Sequence, residues 1–128
     1  MIKVCAAIII NNKKILITQR SSRMKLPMLW EFPGGKINNN ETPEECIKRE
    51  INEELGIKIK VINKFYTNSY KYDFGDIQLI SFLASWKSGK ILLNEHEKYL
   101  WVDKEELVKF DFAPADIPIV EKLMEVDL

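Results

Sequence analysis

A chain of 128 residues, 46% hydrophobic and 30% charged, carries enough apolar material for one globular domain with its own core, expected to span residues 1–128. Its 19 basic side chains balance 19 acidic ones, which leaves no broad electrostatic footprint for a nucleic-acid polymer or an anionic membrane. A small anionic ligand can still be met by local charge.

The apolar, β-branched runs Val4–Ile10 and Lys14–Gln19 flank Asn11-Asn12-Lys13, which predicts a β-hairpin. The first run is too short to span a membrane and no cleavage-site pattern follows it, so the reading is a cytoplasmic protein. Cys5 and Cys46 are too few for a disulfide framework and sit in no CxxC spacing; both are read as small buried or half-buried thiols. Lys13, Lys14, Arg20, Arg23 and Lys25 make a cationic cluster in the N-terminal quarter, where a polar loop runs from Arg20 to about Pro27. Then come Leu29-Trp30-Glu31-Phe32 and the turn Pro33-Gly34-Gly35-Lys36, whose two glycines let backbone approach a ligand closely.

Thr42-Pro43-Glu44-Glu45 has the layout of a helix start: an N-cap, a proline where a missing N–H costs nothing, and a glutamate three residues past the cap. The helix should run from Pro43 to Leu55 and stop at Gly56 in a left-handed conformation. Its period puts Ile47, Ile51 and Leu55 on one stripe and Glu50, Glu53 and Glu54 on the adjoining arc. Such like charges repel unless a cation sits among them, and carboxylates of this kind suit Mg²⁺, with Mn²⁺ as a substitute. Arg49 lies four residues from both Glu45 and Glu53, in position to fix their rotamers through its forked donors.

Beyond Gly56, Ile57–Ile62 alternates apolar and polar residues, as a strand with one wet face does. Ile77–Trp86 is a second long strand, Gly89 marks a turn, and Lys98–Val102 is a further strand. Asp103-Lys104-Glu105-Glu106 reads as an N-cap with its acidic third position, and Asp116 as the start of a last helix over Ile117–Met124. The one histidine, His96, stands between Glu95 and Glu97 and is read as a surface residue. Strands, an enclosed helix, more strands and a closing helix describe an α+β fold: a mixed sheet with helices on both sides.

The stretch Gly35–Ile57, GKINNNETPEECIKREINEELGI, resembles the Nudix box G-x5-E-x7-R-E-U-x-E-E-x-G-U, with U aliphatic, at every fixed position. The outer segments Leu29–Lys36, Trp101 and Ala113-Pro114-Ala115-Asp116-Ile117-Pro118 are similar to the MutT-type branch. That resemblance implies an α/β/α sandwich with the box as a loop–helix–loop, and hydrolysis of a nucleoside triphosphate to a monophosphate and pyrophosphate. Within the branch the similarity is to 8-oxo-dGTP diphosphatases, with CTP and 5-methyl-dCTP pyrophosphohydrolases as the alternative.

By that resemblance, Glu50, Glu53, Glu54 and the Gly34 carbonyl hold Mg²⁺. Glu95, six residues before Trp101, adds a ligand or acts as the base, a choice shared with Glu53, and Glu97 is close enough to compete for the position. Arg49 completes the catalytic set. Arg20, Lys25, Trp30, Glu31, Phe32 and, more weakly, Tyr72 are carried over to the nucleotide pocket; core packing is the other reading for Trp30 and Phe32. Asp116 stands where 8-oxo-dGTP enzymes have Asn, and an ionised Asp can only accept hydrogen bonds unless burial keeps it protonated. The implied partner is a small nucleoside triphosphate, with no obligatory protein partner evident. A Nudix-fold sensor that binds nucleotide without turnover is the reading of another class.

Overall fold

The N-terminal hairpin sets the frame of the molecule. In a computed structural model describing residues 1–128, β1 (Ile2–Asn11) and β2 (Lys14–Gln19) are joined through Asn12 and Lys13. Both turn residues have positive φ, 50° and 64°, as a two-residue turn matched to the strand twist requires. The two strands pair only next to the turn, at Ile10 with Ile15 and Asn11 with Lys14. Beyond it β2 pairs antiparallel with β3 (Trp30–Glu31).

The edge of β1 that β2 leaves is taken by β4 (Gly34–Lys36), with Cys5 opposite Gly35 and Ala6 opposite Gly34. The helix α1 (Pro43–Leu55) follows. Every local signal at its ends is realised: Thr42 accepts from the Glu45 N–H, the Glu45 carboxylate accepts from the Thr42 N–H, and Gly56 ends the helix at φ 69°.

The next strand, β5 (Lys58–Tyr72), extends well past the expected end at Ile62. Register shifts against its antiparallel partner β6 (Gly75–Ser88) fall at Lys58/Ile59, Val61/Asn63 and Lys64/Tyr66. Those bulges break the alternation that would have announced the strand in sequence, while the β6 ladder holds it in place. β6 runs parallel to β1 from Ile77 beside Ile2 to Ser85 beside Ile10, which makes the sheet mixed. β7 (Lys98–Val102) pairs with β2. Lys104–Lys109 forms a 3-10 helix rather than an α-helix, and α2 (Ile117–Met124) closes the chain.

Alternation along β1 divides the core. Cys5, Ala7 and Ile9 face α1 and pack with Ile47, Ile51, Leu55, Ile80 and Phe82. Ala6 and Ile8 face the other way, against Ile17, Phe32, Leu107, Ile119 and Leu123. The result is the expected α+β sandwich, a helix on each face of a mixed sheet. Fully burying Ile47, Ile51 and Leu55 contributes roughly 1.5–3 kcal/mol each, which is what fixes α1 on the sheet despite its acidic arc. No helix is long and apolar enough to cross a membrane.

Candidate active site

The β4 turn and α1 fit without slack. A Cβ on Gly34 would lie 1.9 Å from the Cys5 carbonyl oxygen, and one on Gly35 would lie 2.3 Å from the carboxyl carbon of Glu50. Only glycines allow the turn to reach both β1 and the acidic face of the helix.

Along that face the carboxylates differ in burial. Glu54 is 6% exposed, and its Oε1 has no hydrogen-bond partner. Burial first, then the charges of Glu31, Glu50 and Glu95, push its pKa up to about 10. The Glu50 carboxyl is also raised, by burial most of all, although Arg49 beside it pulls the other way. Glu53 is the exposed member.

Arg49 gathers the box residues. It meets Glu41 at 2.6 Å, Glu50 at 2.8 Å and Glu53 at 3.1 Å, and donates to the Lys36 carbonyl at 3.1 Å. The expected contact with Glu45 is not made, because the Glu45 carboxylate is spent on the helix cap. Glu41 fills that role, held down to about 2 by its hydrogen bonds from Arg49 and from the Asn38 N–H. No three acidic side chains converge on one point as in a finished metal cage, since Arg49 holds Glu50 and Glu53.

Glu95 arrives from the loop after β6. Leu92 N–H donates to the Leu55 carbonyl at 2.9 Å and Asn94 N–H to the Glu54 carbonyl at 3.1 Å, while the Asn94 amide reaches the Glu53 carbonyl at 2.7 Å. These bonds satisfy carbonyls that the helix end leaves open, and they tether the loop beside Glu54. Glu95 thereby lies within electrostatic reach of both Glu54 and Glu50. Glu97 instead anchors its backbone N–H on the Gln19 carbonyl at 2.8 Å.

Next to the carboxylates lies a cavity of about 230 Å³, lined by Gly34, Gly35 and Glu54 on one side and by Arg20, Lys25, Glu31, Phe32, Tyr72 and Asp116 on the others. Trp30 is not among the lining residues; it packs edge-on against Phe110, with centroids 5.1 Å apart, in the α2-side core. Phe74, at the β5–β6 turn, lines the cavity without having been anticipated, stacked on Tyr72 at 4.9 Å with the Lys25 ammonium 4.3 Å from its ring centroid.

Two expectations are corrected here. His96 is not a surface residue: its side chain is fully buried and Nε2 lies 2.8 Å from Glu31 Oε2. Glu31 Oε1 meanwhile takes Arg20 Nη1 at 2.6 Å, so one of the two cations lining the cavity is already paired. Nothing local marks His96 as buried; its one sequence signal is that it is the sole histidine. Asp116 does not cap α2 with its side chain, because the carboxylate accepts from the Phe32 N–H at 2.9 Å. Burial raises the Asp116 carboxyl well above its ordinary range, with Glu31 adding to the effect. Cys5 and Cys46 are buried as expected, but side by side.

Comparison with known proteins supports what the box and its cavity suggest. The family model described as NUDIX domain matches residues 1–123. The chain is 36% identical over 124 residues to a CTP pyrophosphohydrolase of Escherichia coli (strain K12), covering 97% of this chain and 92% of that protein. It is 35% identical over 119 residues to an 8-oxo-dGTP diphosphatase of Buchnera aphidicola subsp. Schizaphis graminum, covering 93% and 90%. The crystal structure of a MutT protein from Methanosarcina mazei Go1 superposes with a TM-score of 0.87 at 26% identity, covering 97% of this chain and 93% of that one. An acidic helix, the glycine turn packed against it and a family match along nearly the whole sequence agree: the chain belongs to the Nudix family.

Proposed function

We propose that the protein is a Mg²⁺-dependent nucleoside triphosphate pyrophosphohydrolase that converts 8-oxo-dGTP to 8-oxo-dGMP and pyrophosphate, cleaning the nucleotide pool. The observation that carries this reading is a single cavity lined by two buried carboxyl groups, Glu54 and Asp116, with Glu31 in electrostatic reach of both.

Glu54 fits a divalent cation. A carboxyl group with an unpartnered buried oxygen and acidic neighbours is unfavourable when ionised alone, and a hard cation removes that cost. Glu50, Glu53, Glu54, Glu95 and the Gly34 carbonyl would hold it. When bound, Mg²⁺, or Mn²⁺ in its place, neutralises phosphate charge and acidifies the attacking water. Glu53 or Glu95 takes the water's proton, the water oxygen adds to phosphorus, and the bond to the leaving phosphate oxygen breaks. Arg49 keeps Glu50 and Glu53 oriented throughout.

Asp116 reads the base. Its Oδ2 is committed to the Phe32 N–H, and a carboxyl kept protonated by burial presents an O–H donor, matching O6 of 8-oxoguanine. Cytosine nucleotides are the second reading. They are favoured by the relative that is a CTP pyrophosphohydrolase, and by an ionised Asp116 accepting from a cytosine amine. The protein would act in the cytoplasm on free nucleotides, not on nucleic-acid polymers.

Pyrophosphate release from 8-oxo-dGTP, dGTP, CTP, dCTP and 5-methyl-dCTP, with and without Mg²⁺, tests this. A higher kcat/KM for 8-oxo-dGTP than for dGTP is expected. Preference for the cytosine nucleotides would assign the second reading, and binding without Mg²⁺-dependent turnover would make the protein a sensor.

A further inference from the structure

Cys5 and Cys46 lie on different elements, β1 and α1, yet their sulfurs are 2.6 Å apart. That is well inside an ordinary non-bonded sulfur contact and only about 0.6 Å longer than a disulfide bond. We propose that this pair is an oxidation site, at which a small peroxide closes an intrachain disulfide that staples α1 to the central strand of the sheet while leaving the active site working.

Both thiols are almost wholly buried, 1% and 0% exposed; Cys5 borders the nucleotide cavity, but its side chain faces α1. A small oxidant reaches the sulfurs when the β4 turn above them opens locally, because both lie beneath the Gly35 and Lys36 carbonyls. Burial pushes both thiols above their usual range, so thiolate is scarce and the pair reacts slowly. It is a site for sustained oxidising conditions rather than a rapid sensor.

The chemistry balances with a peroxide as the two-electron oxidant. The Cys5 sulfur attacks the O–O bond, giving a sulfenic acid and, with the thiol proton, one water. The Cys46 sulfur then displaces the sulfenic oxygen, which leaves as a second water with the Cys46 proton. The second step is intramolecular between adjacent sulfurs, which favours the disulfide over further oxidation.

Little must move. Both sulfurs lie within weak hydrogen-bond range of the carbonyls beneath the turn, Cys5 of Gly35 at 3.3 Å and Cys46 of Gly35 at 3.7 Å and Lys36 at 3.6 Å, and Cys46 Sγ also accepts from Arg49 Nη2 at 3.8 Å. The lost donors are weak ones, and closing by about 0.6 Å leaves Glu50, one turn further along α1, nearly where it was. The new link closes a loop between residues 41 apart in sequence, which constrains the unfolded chain strongly.

The experiment treats the full chain with hydrogen peroxide, blocks remaining thiols in denaturant and digests with trypsin. Peptides Val4–Lys13 and Ile37–Lys48, neither containing methionine, should appear joined, with two hydrogens fewer than their sum, and separate on adding dithiothreitol. The treated protein should melt about 10 °C higher than the reduced one. Mg²⁺-dependent pyrophosphate release should stay within about twofold, and Cys5→Ala and Cys46→Ala proteins should gain no stability from peroxide. Sulfinic acid on either peptide without the cross-link, or no change in either, overturns the proposal, as does a cross-linked protein whose turnover is lost until dithiothreitol is added. The mass and melting readouts need no turnover, so they stand apart from the assignment of substrate.

Discussion

His96 Nε2 lies 2.8 Å from Glu31 Oε2, and this contact joins a buried ring from the β6–β7 loop to the strand that carries the cavity floor. Through Glu31 it continues to Arg20 at 2.6 Å, so the histidine, the glutamate and the arginine form one connected rim. Their positions are coupled because Glu31 spends one oxygen on each partner.

Replacing His96 should therefore act on substrate binding more than on chemistry. A hydrogen bond to a charged group contributes about 1.5–3 kcal/mol, so His96→Ala should raise KM at least about tenfold with kcat within about threefold. His96→Gln, which can still donate to Glu31, should recover part of the loss. Steady-state kinetics of the two variants checks this, and an equal fall in kcat would place His96 in the chemical step instead.

Glu53 is exposed and its carboxylate hydrogen-bonds only Arg49, so Glu53→Gln should leave the fold and its melting temperature intact. Turnover should nevertheless fall by orders of magnitude, on the order of 10²–10⁴, if its carboxylate serves the water or the metal. Arg49→Lys should reduce turnover less but cost stability, because a single ammonium cannot hold Glu41, Glu50 and Glu53 at once. Unchanged turnover in Glu53→Gln would remove that residue from the mechanism.

Glu54 makes the metal-free protein sensitive to alkali. Its carboxyl has an ordinary value of 4.5 and is pushed up to about 10 in the fold, so the folded state holds its proton more tightly than the unfolded state. Its stabilising effect is whole below about 4.5 and is lost progressively as pH rises towards 10, by at most about 1.4 kcal/mol per pH unit. Denaturant melts in EDTA between about pH 5 and pH 9 should show that decline, and Glu54→Gln should flatten it. Added Mg²⁺ should restore stability at the alkaline end, where Glu54 can ionise onto the cation.

Gly34→Ala and Gly35→Ala should fail differently. At Gly34 the new methyl meets the backbone of β1, which cannot give, so a loss of about 2–3 kcal/mol or more in stability is expected. At Gly35 the atoms nearest to it are those of the Glu50 carboxylate, the movable end of a side chain. Gly35→Ala should fold, with Mg²⁺ affinity reduced because Glu50 is displaced. Thermal melts together with Mg²⁺ titrations of turnover distinguish the two.

Where the controlling interactions lie within a few residues of one another, the sequence was enough. Thr42, Pro43, Glu45 and Gly56 determine both ends of α1, and the 3.6-residue period determines which side of it carries Glu50, Glu53 and Glu54. The Asn12-Lys13 turn fixes the first hairpin in the same way. The family, and with it the acidic helix as the candidate centre, was likewise legible in the box.

Tertiary structure decided which side chains those groups meet. Arg49 turned to Glu41 because Glu45 was occupied by the cap, and Asp116 turned to the Phe32 N–H, 84 residues away in sequence, instead of capping its own helix. The full length of β5 depends on its ladder with β6, the burial of His96 on a loop tethered to the end of α1, and the meeting of Cys5 and Cys46 on α1 lying across β1. Caps and turns are chosen by hydrogen bonds along a few consecutive residues, so the local sequence determines them. Burial and long-range pairing depend on which surfaces the sheet register brings together, and that register is set only when the whole core packs.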